Sequence, residues 1–300
     1  MSVAFLFPGQ GSQHVGMGQG LYQAKPASRA VFDQADELLG FRLSTLCFDG
    51  PEERLTDTVN QQPALLVTSV AAWQAMSADN WSPPDYVAGH SLGEFTALVI
   101  AGSLTFRDGL ALVRRRGELM KAAGERAPGA MAAVLALDVA QLEAICRQAQ
   151  EDTGRPVQVA NDNCPGQVVI SGDRIALDRA VDLAKQAGAR KVVNLPISIA
   201  AHSALMESAA SDFAIAVDDA TIAPPKAPVI GNVSGLPMTS ADEIRAELKA
   251  QLTSPVRWTG SMNYLLDQGV TDFVEVGPGE VLLGLMKRIN RKAKRVKYRI

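Results

Sequence analysis

Ser91 is the residue whose surroundings most directly indicate chemistry. It lies midway between Gly89 and Gly93, an apolar run at 86–88 precedes it, and a helical pattern begins near Phe95. Strand, serine and helix in this order predict a nucleophile elbow, a turn too sharp for a Cβ atom at either glycine. The hydroxyl would then project from the end of a strand. An oxyanion formed there would face N–H groups at the start of the next helix, where the helix dipole favours negative charge.

A serine nucleophile needs a base, and the chain contains three histidines. His14 lies at a predicted loop–helix junction, and His90 is adjacent to Ser91, so its side chain points to the other side of the turn. Elimination leaves His202, at the start of a later predicted helix. No neighbouring carboxylate stands out as the group that orients this imidazole, so a backbone carbonyl is the expected partner, giving a dyad.

Two further features indicate what the serine would act on. Arg114, Arg115 and Arg116 are consecutive on a predicted helix, where successive side chains point about 100° apart. Either these arginines are solvated or one of them points at the serine. Because a guanidinium pairs with a carboxylate through two hydrogen bonds, an arginine beside Ser91 would favour a carboxy-acyl group such as malonyl. Gln10 follows the first predicted strand, at the strand end where α/β proteins bind ligands.

The elements that must position these residues indicate an α/β fold. Short apolar runs predict buried parallel strands at 3–7, 85–89, 229–232 and 273–276, with helices between them. Between 128 and 196 the order changes to β-α-β-β-α-β, the ferredoxin-like pattern. We therefore predict a core formed by residues 1–127 and 197–300, and an inserted ferredoxin-like subdomain at 128–196.

Composition restricts the class of protein. The 300 residues are 47% hydrophobic and 20% charged, as is typical of a globular protein with a substantial core. A net charge of −3 gives no bias toward nucleic acid or anionic membranes. We see no signal peptide and no apolar run of the ~18 residues that a membrane span needs. Three widely spaced cysteines fit neither a zinc site nor a disulfide framework. We expect a cytoplasmic protein with no metal, nucleic-acid or membrane partner.

Nine short motifs are distributed over nearly the whole chain. They are FPGQGSQ at 7–13, QPAL at 62–65, GHSLGE at 89–94, RG at 116–117, AN at 160–161, PGQ at 165–167, HSALM at 202–206, SPV at 254–256 and EVGPG at 275–279. Each alone is weakly specific, but their joint order and spacing are highly specific. With them the chain resembles the acyltransferase family of fatty-acid and polyketide synthesis, which includes malonyl-CoA:acyl carrier protein transacylases. The resemblance implies a hydrolase-like α/β core with a parallel sheet plus a ferredoxin-like subdomain, in agreement with the predicted elements.

The resemblance implies roles for the matching residues. Ser91 would carry the acyl group, His202 would be its base, and Arg116 would hold the malonyl carboxylate. Gln10 and the backbone N–H of Leu92 would form the oxyanion hole.

Further roles follow from the same resemblance. Gln62 and Asn161 would be among the substrate-binding residues, and a backbone carbonyl near Gln251–Ser254, here assigned to Gln251, would orient the histidine. The implied ping-pong reaction transfers a malonyl or related carboxy-acyl group from CoA to the phosphopantetheine thiol of an acyl carrier protein. The partners would be malonyl-CoA and the carrier protein, the enzyme would be a monomer, and no cofactor is expected because the CoA thioester is a substrate.

One position departs from the family pattern. The residue before the histidine is usually Ser or Phe and helps to shape the acyl pocket, whereas here it is Ala201. The smaller side chain would leave room for a branched or longer acyl group, so the choice of malonyl is less determined than transacylation itself.

Several alternatives share these residues. A serine esterase or thioesterase would use the same elbow, but the α/β-hydrolase order places an acidic residue before a late histidine, and about a third of this chain follows His202. A non-catalytic scaffold would not need Ser91, His202 and Arg116 together. A malonyltransferase subunit of a malonate decarboxylase and a stand-alone polyketide acyltransferase remain open.

The C-terminal segment from Lys287 to Arg299 contains eight basic residues and no acidic one. Two interpretations of this segment remain. It is a solvated helix end and tail, or its charge attracts an acidic carrier protein or the phosphates of CoA.

Overall fold

Two β-sheets organise residues 2–298, the part of the chain that the structure, a computed structural model, describes. The strands, in chain order, are β1 (Ser2–Phe7), β2 (Tyr86–Gly89), β3 (Gly129–Leu135), β4 (Val157–Cys164), β5 (Gln167–Asp173), β6 (Lys191–Asn194), β7 (Val229–Ile230), β8 (Pro237–Met238), β9 (Val270–Glu275) and β10 (Lys294–Lys297).

Helices surround both sheets. They are α1 (Gln19–Ala24), α2 (Pro26–Leu39), α3 (Leu43–Asp49), α4 (Glu52–Thr56), α5 (Thr58–Ala78), α6 (Gly93–Ile100), α7 (Phe106–Arg126), α8 (Val139–Thr153), α9 (Arg174–Gln186), α10 (Glu207–Asp219), α11 (Ala241–Ala250), α12 (Trp258–Asp267) and α13 (Val281–Ile289). A 3₁₀ turn at Ala204–Met206 precedes α10.

The larger sheet has the strand order β10-β9-β1-β2-β7-β8 and is parallel except between β7 and β8. Successive side chains of a strand point to opposite faces. Phe5 and Phe7 of β1 therefore pack into the hydrophobic cluster that contains α5 and α7, while Ala4 and Leu6 pack into the cluster on the other face with α12 and α13. Burial on both faces explains why the strand is a continuous apolar run.

The register of β1 and β2 determines where the site forms. Phe7 lies opposite Gly89 in this parallel pair. Parallel strands end at the same edge of a sheet, so the loops that carry Gln10 and Ser91 emerge side by side.

The smaller sheet is antiparallel, with the strand order β4-β5-β3-β6. Helices α8 and α9 pack on it around a separate hydrophobic cluster. This order, together with the chain order β3-α8-β4-β5-α9-β6, is the ferredoxin-like arrangement. The predicted fold class, a parallel-sheet α/β core with this second unit, is confirmed. The strands lie between Gly129 and Asn194, inside the segment 128–196, whose exact boundaries as a subdomain stay a prediction.

The C-terminal segment differs from the tail that one interpretation expected. Lys294–Lys297 forms the edge strand β10, in which Val296 pairs with Val274 of β9. Lys294 also lies 2.6 Å from a carboxylate oxygen of Asp272. A single apolar residue in a basic run gave little sign of this strand. Arg299, the last of the eight basic residues, lies outside the described residues.

Membrane-spanning helices and metal-binding clusters are both absent from residues 2–298. No helix there is long and apolar enough to cross a bilayer. Within the same residues, no cluster of three or more His, Cys, Asp or Glu side chains is arranged to hold a metal ion.

Candidate active site

The turn between β2 and α6 has the geometry of an elbow. Ser91 adopts a left-handed conformation with φ of 51°. A Cβ atom on Gly89 would lie 1.9 Å from the carbonyl carbon of Gly93, and one on Gly93 would lie 2.1 Å from the carbonyl oxygen of Phe7. Backbone atoms cannot give way over such distances, so both glycines are required by close approach. The left-handed conformation is strained for a serine, and such strain persists at functional sites because the surrounding structure holds the backbone in place.

Asn232, two residues after the neighbouring strand β7, fixes the backbone of this elbow. Its Oδ1 accepts a hydrogen bond from the N–H of Ser91 at 2.6 Å, and its Nδ2 donates to the carbonyl oxygen of Gly89 at 2.7 Å. Asn232 was not among the residues predicted from the sequence. The only available signal was a polar residue at the end of a buried strand, which is where α/β folds place functional groups.

The structure brings His202 to the predicted nucleophile. His202 Nε2 lies 2.8 Å from Ser91 Oγ, and Nδ1 lies 2.9 Å from the carbonyl oxygen of Gln251 and 3.1 Å from that of Ser254. Carbonyl oxygens only accept, so the proton is on Nδ1 and Nε2 is free to accept from the serine hydroxyl. The acceptors are the backbone carbonyls expected at Gln251–Ser254, and no carboxylate takes part in orienting the ring.

The loop that carries His202 is held in place by the ferredoxin-like sheet. His202 has φ of 58°, a second left-handed residue at the site. Gln158 of β4 donates from Nε2 to the carbonyl oxygens of both His202 and Thr253, each at 3.0 Å. One amide thus joins the histidine loop to the segment that orients the imidazole.

The electrostatic environment keeps His202 neutral. Burial and the nearby positive charge of Arg116 lower the pKa of His202 to about 3. The imidazole is therefore in its basic form across the ordinary pH range, with Nε2 directed at Ser91 Oγ.

Of the three consecutive arginines, Arg116 is the one that reaches the serine. Its Nη2 donates to Ser91 Oγ at 3.1 Å and to Gln251 Oε1 at 3.0 Å, and its Nη1 donates to Gln62 Oε1 at 2.9 Å. The side chain is fully buried, and its Nε has no hydrogen-bond partner in the described part of the chain. Burial lowers the pKa of Arg116 to about 10, so the guanidinium remains charged. A buried cation with a spare donor is suited to binding an anion.

The neighbouring arginines face away from the serine. Arg114 Nε lies 2.8 Å from a carboxylate oxygen of Glu118 on the same helix, and Arg115 is half exposed. Because the three side chains point in different directions around α7, only Arg116 lies on the helix face that packs against the elbow.

A cavity of ≈ 320 Å³ lies over Ser91 and His202. Gln10, Asn161 and Ala201 line it, as do apolar side chains from α7, β3 and the 195–199 segment. The small Ala201 thus forms part of the wall of this cavity.

Gln62 and Gln10, two of the predicted substrate-binding residues, have side chains that are bonded to other protein groups. Gln62 is fully buried and bonded to Arg116, and neither of the two side chains lines the cavity. The side-chain amide of Gln10 donates to Thr58 Oγ1 at 3.0 Å and to Gln61 Oε1 at 2.6 Å, so that amide is already engaged by the protein. Leu92 lies directly after Ser91, where α6 begins, as the oxyanion-hole expectation requires. The roles of these residues toward substrate stay predictions.

Similarity to known proteins agrees with this geometry. The model of the family described as "Acyl transferase domain" matches residues 4–299. The chain belongs to the acyl transferase family. The malonyl CoA-acyl carrier protein transacylase of Bacillus subtilis (strain 168) is 47% identical over 294 residues, which cover 98% of this chain and 92% of the relative. The predicted family is thereby confirmed.

Solved structures of other acyl transferases agree in fold. The malonyl CoA-acyl carrier protein transacylase from Coxiella burnetii is 42% identical and superposes with a TM-score of 0.96, over 99% of this chain and 94% of that one. A structure described as a type II PKS acyl-carrier protein in complex with its malonyl-transacylase is 40% identical, with a TM-score of 0.96 over 99% and 96% of the two chains.

Proposed function

We propose that this acyl transferase moves a malonyl group from CoA to the phosphopantetheine thiol of an acyl carrier protein through an acyl-enzyme at Ser91. One observation carries the proposal: Ser91 Oγ is 2.8 Å from the base His202 and 3.1 Å from the guanidinium of Arg116. In a malonyl thioester a single methylene separates the carboxylate from the reacting carbonyl. A carboxylate-binding group therefore has to lie beside the nucleophile, as Arg116 does.

The first half-reaction forms the acyl-enzyme. Ser91 Oγ attacks the thioester carbonyl while its proton moves to His202 Nε2, and the backbone N–H groups of Leu92 and Gln10 stabilise the oxyanion. The tetrahedral intermediate collapses, the C–S bond breaks, and the imidazolium returns the proton to the CoA sulfur. Arg116 holds the malonyl carboxylate throughout, which requires its Nη2 to exchange the Ser91 hydroxyl for the substrate oxygens.

The second half-reaction reverses the roles. The thiol of the carrier protein gives its proton to His202 Nε2 and attacks the Ser91 ester. Collapse then breaks the C–O bond, and the proton returns to Ser91 Oγ. Nucleophile, base and carboxylate receptor are all side chains, so we propose that the reaction needs no cofactor.

The acceptor and setting are inferred by similarity. The curated relatives are named for transfer to acyl carrier protein rather than for hydrolysis, which favours transfer over the esterase alternative. One neighbour was solved with a type II PKS carrier protein, so both fatty-acid and polyketide carrier proteins belong in the acceptor assay. We also propose a cytoplasmic location, because the three cysteines are buried free thiols, as is usual in a reducing compartment.

Mass spectrometry of the intact protein and of its proteolytic peptides tests the proposal. Mixing with malonyl-CoA should add one malonyl group to the peptide that contains Ser91, and addition of a phosphopantetheinylated carrier protein should remove it and malonylate the carrier. S91A should form no adduct. Persistence of the adduct in S91A, or its loss to water at the same rate with and without carrier protein, would contradict the proposal.

A further inference from the structure

Glu94 is a buried carboxylate for which the reaction above has no use. It lies three residues after the nucleophile, in the first turn of α6, and its side chain is fully buried. Burial of a carboxylate is costly unless donors surround it. The helix dipole favours an acidic residue at a helix N-terminus, but an exposed side chain would serve equally well. The dipole therefore does not explain why Glu94 is fully buried.

Two side-chain amides donate to Glu94, and backbone groups determine the orientation of both. Asn232 accepts from the N–H of Ser91 and donates to the carbonyl oxygen of Gly89, so its NH₂ group must be the one near Glu94 Oε1, at 3.2 Å. The backbone N–H of Asn232 donates to the same oxygen at 2.9 Å.

Gln251 is oriented by the same logic. Its Oε1 accepts from Arg116, which can only donate, and its Nε2 donates to the carbonyl oxygen of Ser91 at 3.1 Å. The same Nε2 donates to Glu94 Oε2. Glu94 therefore receives N–H donors on both oxygens. Burial and the charge of Glu247 raise the pKa of Glu94, whereas these donors and Arg116 lower it. Because a proton on either oxygen would face a donor, the ionised carboxylate is the form that fits these contacts.

The arrangement also balances charge. Every side-chain hydrogen bond of Arg116 goes to a neutral group, and none of the ion pairs within residues 2–298 includes it. Glu94 is the carboxylate joined to Arg116 through one amide, and its charge raises the pKa of the arginine against the effect of burial.

We propose that Glu94 is a positioning residue for acyl selection. As a carboxylate it holds the Gln251 amide with its oxygen toward Arg116, and it supplies the counter-charge that keeps the guanidinium beside Ser91. The backbone carbonyl of Gln251 orients His202, so the same residue links carboxylate recognition to the base. This inference rests on the proposed malonyl transfer, because its effect is on the preference for a carboxy-acyl group.

E94Q is the primary test, since glutamine has nearly the same shape but carries one donor. Whichever way the new amide turns, its NH₂ group faces an NH₂ group of either Asn232 or Gln251. Gln251 is then held less firmly, and the hydrogen bond from Arg116 to Gln251 Oε1 is weakened. We expect the ratio of kcat/KM for malonyl-CoA to that for acetyl-CoA to fall about tenfold, because a hydrogen bond to a charged group is lost. An unchanged ratio, an equal fall for both substrates or a rise in malonyl preference would overturn the proposal.

Glu247 provides a matched control. It is a second buried glutamate near Glu94, but its carboxylate accepts from the backbone N–H of Val233 at 2.5 Å and not from Gln251. The charge of Glu247 raises the pKa of Glu94, so E247Q favours the Glu94 carboxylate. The malonyl-to-acetyl ratio should therefore not fall even if the melting temperature does, and a tenfold fall here would also overturn the assignment to Glu94.

A second variant decides the matter if E94Q does not fold. Q251L removes the amide that joins Glu94 to Arg116 but keeps the backbone carbonyl that orients His202. Its selectivity ratio should fall as in E94Q, and a wild-type ratio in Q251L would refute the link. Failure of the wild-type enzyme to malonylate carrier protein would instead refute the proposed function, so the two failures are distinct.

Discussion

Replacement of Arg116 by methionine tests the assignment of acyl preference most directly. Methionine is also long and unbranched, so R116M fills much of the same space while removing every donor. A malonyl group loses a charge-assisted bidentate pair, on the order of 2–3 kcal/mol, which corresponds to about a 30- to 150-fold fall in the rate of acylation. An acetyl group has no carboxylate and loses only the contact between Arg116 and Ser91 Oγ at 3.1 Å.

The substitution should also reduce stability. Arg116 is fully buried, and its removal leaves Gln62 Oε1 and Gln251 Oε1 without the donor that each has at about 3 Å. An unsatisfied buried acceptor costs about 1–3 kcal/mol, so urea unfolding should show a lower free energy of unfolding for R116M. The acylation measurements must therefore be made under conditions in which the variant is folded.

Single-turnover acylation of Ser91 by malonyl-CoA and by acetyl-CoA provides the assay, with quenched samples analysed by mass spectrometry. The control is R115M, which removes a half-exposed arginine on another face of α7. We expect a large fall in the malonyl-to-acetyl ratio for R116M and none for R115M. If R116M keeps the wild-type ratio, or if R115M loses it, the carboxylate receptor has been assigned to the wrong residue.

Three further outcomes are expected. The pKa of His202 is lowered to about 3, so kcat/KM for acylation should stay flat between pH 8 and 6, where an ordinary imidazole with a pKa of about 6.5 would lose about three quarters of its basic form; an inflection near pH 6.5 would contradict this. G93A should abolish acylation and lower the melting temperature, because its Cβ would lie 2.1 Å from the carbonyl oxygen of Phe7, whereas G284A, with no atom within 4 Å, is a neutral control. Truncation after Asn290 removes β10 and should lower the free energy of unfolding by a few kcal/mol, because the hydrogen bonds between β10 and β9 are lost. Unchanged stability would mean that the strand contributes little. The attraction of carrier protein by the basic C-terminal segment is better tested by charge reversal at Lys292, which leaves β10 in place.

The sequence was most informative where the determinants are local. The elbow needs glycines two residues before and after Ser91, and the close approaches at Gly89 and Gly93 show why. The β-α-β-β-α-β order was readable because each element has its own periodicity. His202 followed from elimination among three histidines, a matter of composition and not of geometry.

Tertiary structure decided what depends on contacts between distant segments. Ser91 and His202 are 111 residues apart, and Ser91 and Asn232 are 141 apart. No local pattern indicates that an asparagine just after β7 will hold the elbow, or that the Gln251 amide will lie between Arg116 and Glu94.

The choice among the three arginines shows the same limit. From the residues alone, one of Arg114–Arg116 pointed at the serine or none did, and only the resemblance selected Arg116. Which one does so depends on the face of α7 that packs against α5 and the elbow, and a helix of uniform pitch does not reveal this before its neighbours are placed. The strand β10 was hidden for the same reason: its four residues are a strand because β9 offers an edge to pair with, not because of their own composition.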